Sequence, residues 1–365
     1  MISANVAVRL RSLPLDDARS DHDGRLPPPN DARGDHGDEG NRCAAASVQS
    51  PVVEHPFRGS EALAAGLITR GRLRGPGFRR LFDDVYVAAD VPVDLALRSR
   101  AAYLLVADRG VLAGYSAAEI LGASCGPGDA PAEVAVPGGC LLRQSGLRVH
   151  RGLLAADETT TVDGVGVTTP VRTAYDLARR APSLVEAVVA VDALAVPEPG
   201  RARPRRPPRP GEPFLPAHLL RLRNRYLGAR NSRRLPEVVA LADPLAESPM
   251  ETRTRLALVL NGLPRPVSQF AVRDGRHCHY LDLGYPEYRV GIEYDGGEHL
   301  TPERARRDLE RQHRISQLDW VLVRPRAGLV LNRQYLVAVD VARELDRAAE
   351  RLGLPTITAG VAPWR

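Results

Sequence analysis

The chain has 365 residues and not one lysine: all 50 of its basic Lys+Arg positions are arginine. Without lysine there is no P-loop of the G-x-x-x-x-G-K type, no protein-kinase ATP lysine and no pyridoxal Schiff base. Cysteine is scarce as well. The four cysteines, at 43, 125, 140 and 278, show no C-x-x-C spacing, and the N-terminus has no signal-peptide pattern, which together read as a reducing cytoplasm. Long apolar runs are also missing. Nothing approaches the roughly 20 residues that span a bilayer, so a soluble chain with no membrane partner is expected.

What is present is unevenly placed. At about 100–200 residues per domain the length suggests two domains. The formal net charge is only +6, but residues 196–216 carry five arginines against Glu198 and Glu212, and residues 217–246 carry six against Glu237 and Asp243. Patches of this kind attract polyanions, and an arginine-rich solvated linker has the same composition.

Residues 1–54, rich in Asp, Gly, Pro and Ser, read as a disordered tail or as sequence ahead of a later translation start. Order is expected from about residue 55. Ser60 can cap a short helix that stops at Gly66, Thr69 opens a second one through Arg70 to Arg74, and a β-ribbon turns at Asp83-Asp84. Helix, turn, helix and ribbon with arginines at the turn suggest a winged-helix module, with Arg74, Arg79 and Arg80 as nucleic-acid contacts; a small α+β subdomain with surface arginines is the plain alternative. The rest of 55–195 reads as α/β scaffold, including a helix started by Thr169 and Pro170. Eight prolines mark 196–216 as a stiff linker or insertion. Residues 217–246 read as a basic helical connector on which Arg221 and Arg225 share a face, and residues 353–365 as a tail.

The segment 247–352 carries the candidate chemistry. A helix begins at Ser248-Pro249-Met250-Glu251, three strand-like runs follow over 267–294, a charged helix starts at Thr301-Pro302, and Trp320 to Arg324 forms a last strand. Strand alternation sends Val290, Ile292 and Tyr294 to one side, and Glu293 and Asp295 to the other, close to Asp282 if the register cooperates. Oxygen-only clusters suit Mg²⁺ or Mn²⁺, which can polarise a scissile phosphate and activate water. Ser248-x-x-Glu251 is equally a capping box. His277-Cys278-His279 puts two histidines on one strand face, as a zinc pair would need, without further ligands in sequence reach. On the charged helix Arg304, Arg307, Arg311 and Arg314 form a stripe suited to phosphate oxygens. Residues 247–324 nevertheless hold 12 basic and 12 acidic side chains, so affinity for nucleic acid is expected mainly from the arginines of 70–80 and 201–234.

Glu247 to Arg253, Leu281-Asp282-Leu283, Arg289 to His299, Arg307 to Arg311 and Trp320 to Arg324 resemble the DUF559 domains of the very-short-patch-repair-like branch of PD-(D/E)XK endonucleases. The resemblance covers about the last 110 residues. It implies a restriction-endonuclease-like α/β fold, Asp282 and Glu293 as metal ligands, Glu251 assisting, Asp295 in a D-G-x-x-H element, and His299 moving the proton. Where the wider superfamily has E-x-K, this chain has Glu293-Tyr294-Asp295. Gly66 to Arg70, Phe78 to Val87 and Thr169 to Ala178 resemble the AbiEi-type antitoxin module, which implies operator-DNA binding by the winged helix and a toxin-like partner. The expectation is thus an α/β (α+β) protein acting as a Mg²⁺-dependent DNA endonuclease, with a non-catalytic DNA-binding regulator of antitoxin type as the alternative.

Overall fold

The first ordered residues show how local signals and tertiary contacts divide the work. In the computed structural model, which describes residues 55–138, 142–152, 154–200, 210–275, 277–294 and 302–357 and omits the side chains of Pro302, Arg304 and Ala305, strand β1 (Phe57–Arg58) leads into helix α1 (Gly59–Ala64). Ser60 does not cap that helix. Instead Asp84, across the hairpin of β2 (Phe78–Phe82) and β3 (Val85–Ala88), accepts hydrogen bonds from the Ser60 backbone N–H at 2.8 Å and from its hydroxyl. Asp84 can do so because it sits in a left-handed turn conformation, φ 58°. Thr69 does cap α2 (Arg70–Leu73), accepting from Arg72 N–H at 3.3 Å. The three strands pair in the order β1-β3-β2, and Phe82 and Val85 anchor this small unit in the main core.

That core is built around a five-stranded sheet, ordered β6-β5-β4-β8-β7. Its strands are β4 (Val111–Leu112), β5 (Ala132–Val136), β6 (Leu147–Arg151), β7 (Thr159–Val162) and β8 (Val165–Thr168), packed with α3 (Leu95–Val106), α4 (Gly114–Ile120), α5 (Pro170–Arg180) and α6 (Leu184–Leu194). All five residues of β5 are buried.

The proline-rich stretch 196–216 does not separate two domains. Val196 N–H donates to Phe214 O at 3.0 Å, and Phe214 is buried in the same core as α5 and α6. The described residues on both sides of the stretch therefore belong to one body. The basic connector belongs to that body too, because Leu219 and Leu222 of α7 (His218–Arg225) and Leu235 and Val238 of α8 (Leu235–Leu241) complete its core.

Helix α9 (Pro249–Val259) joins the halves. Leu256 packs into the first core while Ala257 and Leu258 pack into a second, with α12 (Gln334–Leu352). At the seam Arg255 is 1% exposed and donates to Asp192 of α6 at 2.8 Å and to Leu241 O at 2.7 Å. Thr252 and the Asp243 N–H also donate to the Asp192 carboxylate.

The second half has the predicted order of helix, meander, helix and strand. Its sheet runs β12-β11-β10-β9, from β9 (Val267–Asp274), β10 (His277–Tyr285), β11 (Val290–Ile292) and β12 (Val321–Val323), with β11 and β12 parallel. Charged helix α10 (Pro302–Gln317) covers one face through Ile315; α9, α11 (Ala327–Asn332) and α12 cover the other. Three sheets and twelve α-helices among the described residues make this the mixed α+β class expected from the sequence.

Candidate functional sites: an arginine surface and an acidic centre

In the N-terminal unit the hairpin and the short helix α2 hold Arg70, Arg72, Arg74, Arg79 and Arg80, all exposed. Arg79 donates to Ala89 O at 2.9 Å, and Arg80 pairs with Asp83 at the ribbon turn. An exposed pair of this kind is worth at most about 1 kcal/mol, so Arg80 leaves Asp83 at little cost. A guanidinium has five N–H donors, which leaves the solvent-facing ones of Arg79 open.

The acidic centre assembles where the sequence pattern places it, with a register that was not legible beforehand. Leu283 pairs with Ile292, so Asp282 comes opposite Glu293, and the Tyr294 N–H donates to Asp282 at 3.0 Å. Gln269, the cross-strand neighbour of Asp282 on β9, adopts φ 54°, and the regular pairing omits this step. The break turns Leu281 toward α10 and Leu283 toward the opposite core. It also frees the Gln269 amide to donate to Glu251 at 2.7 Å.

Glu251 is tied to the start of its own helix. Ser248 caps α9 by accepting from Glu251 N–H at 3.2 Å, while the Glu251 carboxylate accepts from Glu247 N–H at 2.9 Å. It is nevertheless buried beside Asp282. Burial pushes the Asp282 carboxyl up to about 7, with the Glu251 charge as the next cause and Glu293 adding to it, against the Tyr294 N–H and the Arg311 charge. Burial also raises the Glu251 carboxyl.

Glu293 has a different environment. Arg311 from α10 donates to both of its oxygens, and Arg324, just past β12, donates to Oε2 at 2.8 Å. Arg324 also reaches Asp308 at 3.1 Å, closing a ring of two acids and two arginines. Of the predicted arginine stripe, Arg311 thus turns inward to Glu293 and Tyr280 O instead of facing a phosphate, because a buried carboxylate needs its charge and both oxygens compensated. Arg307 is exposed and Arg314 half-buried, and the Arg304 side chain lies outside the described residues. Asp295 and His299 also lie outside the described residues. Among the described residues no three His, Cys, Asp or Glu side chains come together closely enough to hold a metal ion. His277 and His279 stack with ring centroids 6.1 Å apart.

Gln269 and Arg324 were not singled out from the sequence. Arg324 had a usable signal: it ends the strand that pairs with Val290 to Ile292, one step beyond the Ile292–Val323 pair, so it lies beside Glu293. Gln269 had none, since its role depends on a left-handed backbone.

The basic connector divides in the same way. Arg221 is exposed, whereas Arg225 is held by Asp157 through two hydrogen bonds of 2.8 and 3.2 Å. The predicted shared basic face is therefore half neutralised.

Residues 111–197 match the AbiEi antitoxin C-terminal domain family. The match runs from β4 through α6, the five-stranded sheet and its helices. Two curated Mycobacterium tuberculosis proteins are similar: Uncharacterized protein MT2308 of strain CDC 1551 / Oshkosh and Uncharacterized protein Rv2248 of strain ATCC 25618 / H37Rv. Each is 33% identical over 114 residues, which are 31% of this chain. The matched stretch spans 42% of the length of each relative. Among the described residues no helix is long and apolar enough to cross a membrane.

Proposed function

We propose that this chain is a cytoplasmic DNA-binding regulator of the antitoxin type, with a toxin-like protein as its functional counterpart. The observation that carries the proposal is the match of residues 111–197 to an antitoxin domain, set directly after a helix–turn–helix–ribbon unit with five exposed arginines. In this reading α2 and the ribbon approach the duplex, guanidinium forks hold phosphate oxygens, and the rigid α3–sheet body presents them. A gel shift with DNA from the region upstream of the chain's own coding sequence tests it. Preference for that DNA over a scrambled duplex is expected, and its loss in the triple variant R70A/R72A/R74A. Equal binding to both duplexes by the wild type refutes the proposal.

A second reading, Mg²⁺-dependent DNA cleavage, is favoured by one observation: buried Glu251 lies with half-buried Asp282 beside Glu293. Their oxygen-donor chemistry fits Mg²⁺, and those two carboxylates would hold it. The ion would supply Lewis-acid polarisation of a phosphate. Glu293 fits less well, because Arg311 and Arg324 take its oxygens. That occupancy is what makes the regulator the preferred reading, with the acidic centre as a charge-compensated relic of a nuclease-like site. Cleavage of a DNA substrate by the wild type, lost in both D282A and E293A, reverses the preference.

A further inference from the structure

The turn between α7 and α8, which lies beyond the family-matched segment, builds another basic surface apart from the acidic centre. A cleft of about 920 Å³ opens there against the end of α5. Arg223, Arg230, Arg233 and Arg234 line it together with Asn231 and Leu227, and no carboxylate does. Leu227 is 85% exposed at its edge.

The turn is fixed, and arginines fix it. Arg234 donates to Arg179 O and Ala181 O, both at 2.7 Å, while Arg179 returns a hydrogen bond to Arg230 O at 2.9 Å. Asn231 supplies the left-handed residue, φ 62°, that such a turn needs and that asparagine tolerates. With the backbone pinned in this way, the side chains of Arg223, Arg230 and Arg233 are left for other work. Many arginines elsewhere in the fold face an acid: Arg172 faces Glu158 and Asp176, Arg225 faces Asp157, Arg253 faces Glu186, and Arg311 faces Glu293. These three have no ion pair among the described residues. Like charges gathered on a fixed frame repel each other, and the frame is stabilised when an anion joins them.

We propose that this cleft binds the phosphodiester backbone of a nucleic acid without regard to sequence. The donors are spread along the last turn of α7 and the following loop instead of converging on one point, which suits a row of phosphates better than a single one. Guanidinium forks match phosphate oxygens, and the absence of a lining carboxylate removes the repulsion an incoming strand would meet. The choice of a nucleic acid as the polymer rests on the DNA reading above; the anion site itself does not.

The test uses the full chain, a labelled duplex of scrambled sequence and a duplex from the upstream region, titrated over a range of salt. In R223A/R230A/R233A, binding to both duplexes weakens by the same factor, and the slope of log K against log salt becomes shallower by about 3, one per lost phosphate contact. Arg234 stays in place because it holds the turn. R223K/R230K/R233K keeps the charge and restores most of the affinity and slope. An alanine variant that melts and binds like the wild type, slope included, overturns the proposal. So does a wild type that inorganic pyrophosphate stabilises against melting but that retains neither duplex, which would make the cleft a small-anion site. The regulator reading fails separately: there the upstream duplex has no advantage over the scrambled one, while the cleft variant still loses affinity for both.

Discussion

At Asp282, burial and the nearby Glu251 carboxylate push in the same direction, and the sign of the consequence follows. The folded carboxyl is raised to about 7, against about 3.9 for an unfolded aspartate. Between those values the folded chain binds the extra proton, so its stability falls as pH rises from about 4 to about 7 and is then level. Asp282→Asn mimics the protonated form at every pH. In metal-free buffer the variant should gain on the wild type between pH 5 and pH 8, by on the order of 1–3 kcal/mol. Urea unfolding at both pH values checks this, and parallel profiles contradict it. Burial raises the Asp192 carboxyl as well, against the Arg255 charge; Arg255 sits there at 1% exposure on the same carboxylate as Thr252 and the Asp243 N–H. Asp192→Ala leaves that guanidinium buried without its acid, and a loss of about 3–5 kcal/mol is expected in equilibrium unfolding.

Elements show which signals a sequence carries and which it cannot. Thr169-Pro170 and Ser248-Pro249 mark helix starts in the sequence, and α5 and α9 begin at those prolines. The α1 start was misread because its cap is Asp84, 24 residues away, and only the folded hairpin brings the two together. The extent of α9 was legible but its surroundings were not: it is buried on two sides by two cores, so Arg255 points inward from a helix whose periodicity offers no polar face to warn of it. Likewise the prolines of 196–216 signal an extended path, while only Phe214 in the core shows that the path returns. For the acidic centre, Asp282, Glu293 and Glu251 were legible as types and spacing; the arginine clasp on Glu293 needed the docking of α10. Glycine 114 gives an element-scale prediction. It opens α4 at φ 52°, and an added Cβ would lie 2.5 Å from the Glu133 carboxylate, which also takes a 2.6 Å contact from His150. Gly114→Ala should destabilise the chain by about 1–3 kcal/mol from backbone strain alone, measurable as a lower midpoint in urea.

At the scale of the whole molecule, the net zero charge of 247–324 is explained by arginines spent inside the fold, as in the ring of Glu293, Arg311, Asp308 and Arg324. In the arginine surface at 70–80 and in the α7–α8 cleft, fewer of them have an acidic partner. This division separates the two functional readings without any substrate in hand. If the acidic centre is a compensated relic, the two guanidiniums do for Glu293 what a divalent ion would do, and adding the ion brings nothing. Millimolar Mg²⁺ should then leave the wild-type melting temperature unchanged. Removing both arginines in R311A/R324A leaves Glu293 without its guanidiniums near Glu251 and Asp282, and the added negative charge is relieved when a cation joins. That variant should melt lower in chelator, and Mg²⁺ should restore part of the loss, since a ligand bound only by the folded state stabilises it by about 2.7 kcal/mol at a hundredfold excess over its Kd. A wild type that Mg²⁺ stabilises as strongly as it does the variant shows that the arginines yield to the metal, and the endonuclease reading then becomes the better one.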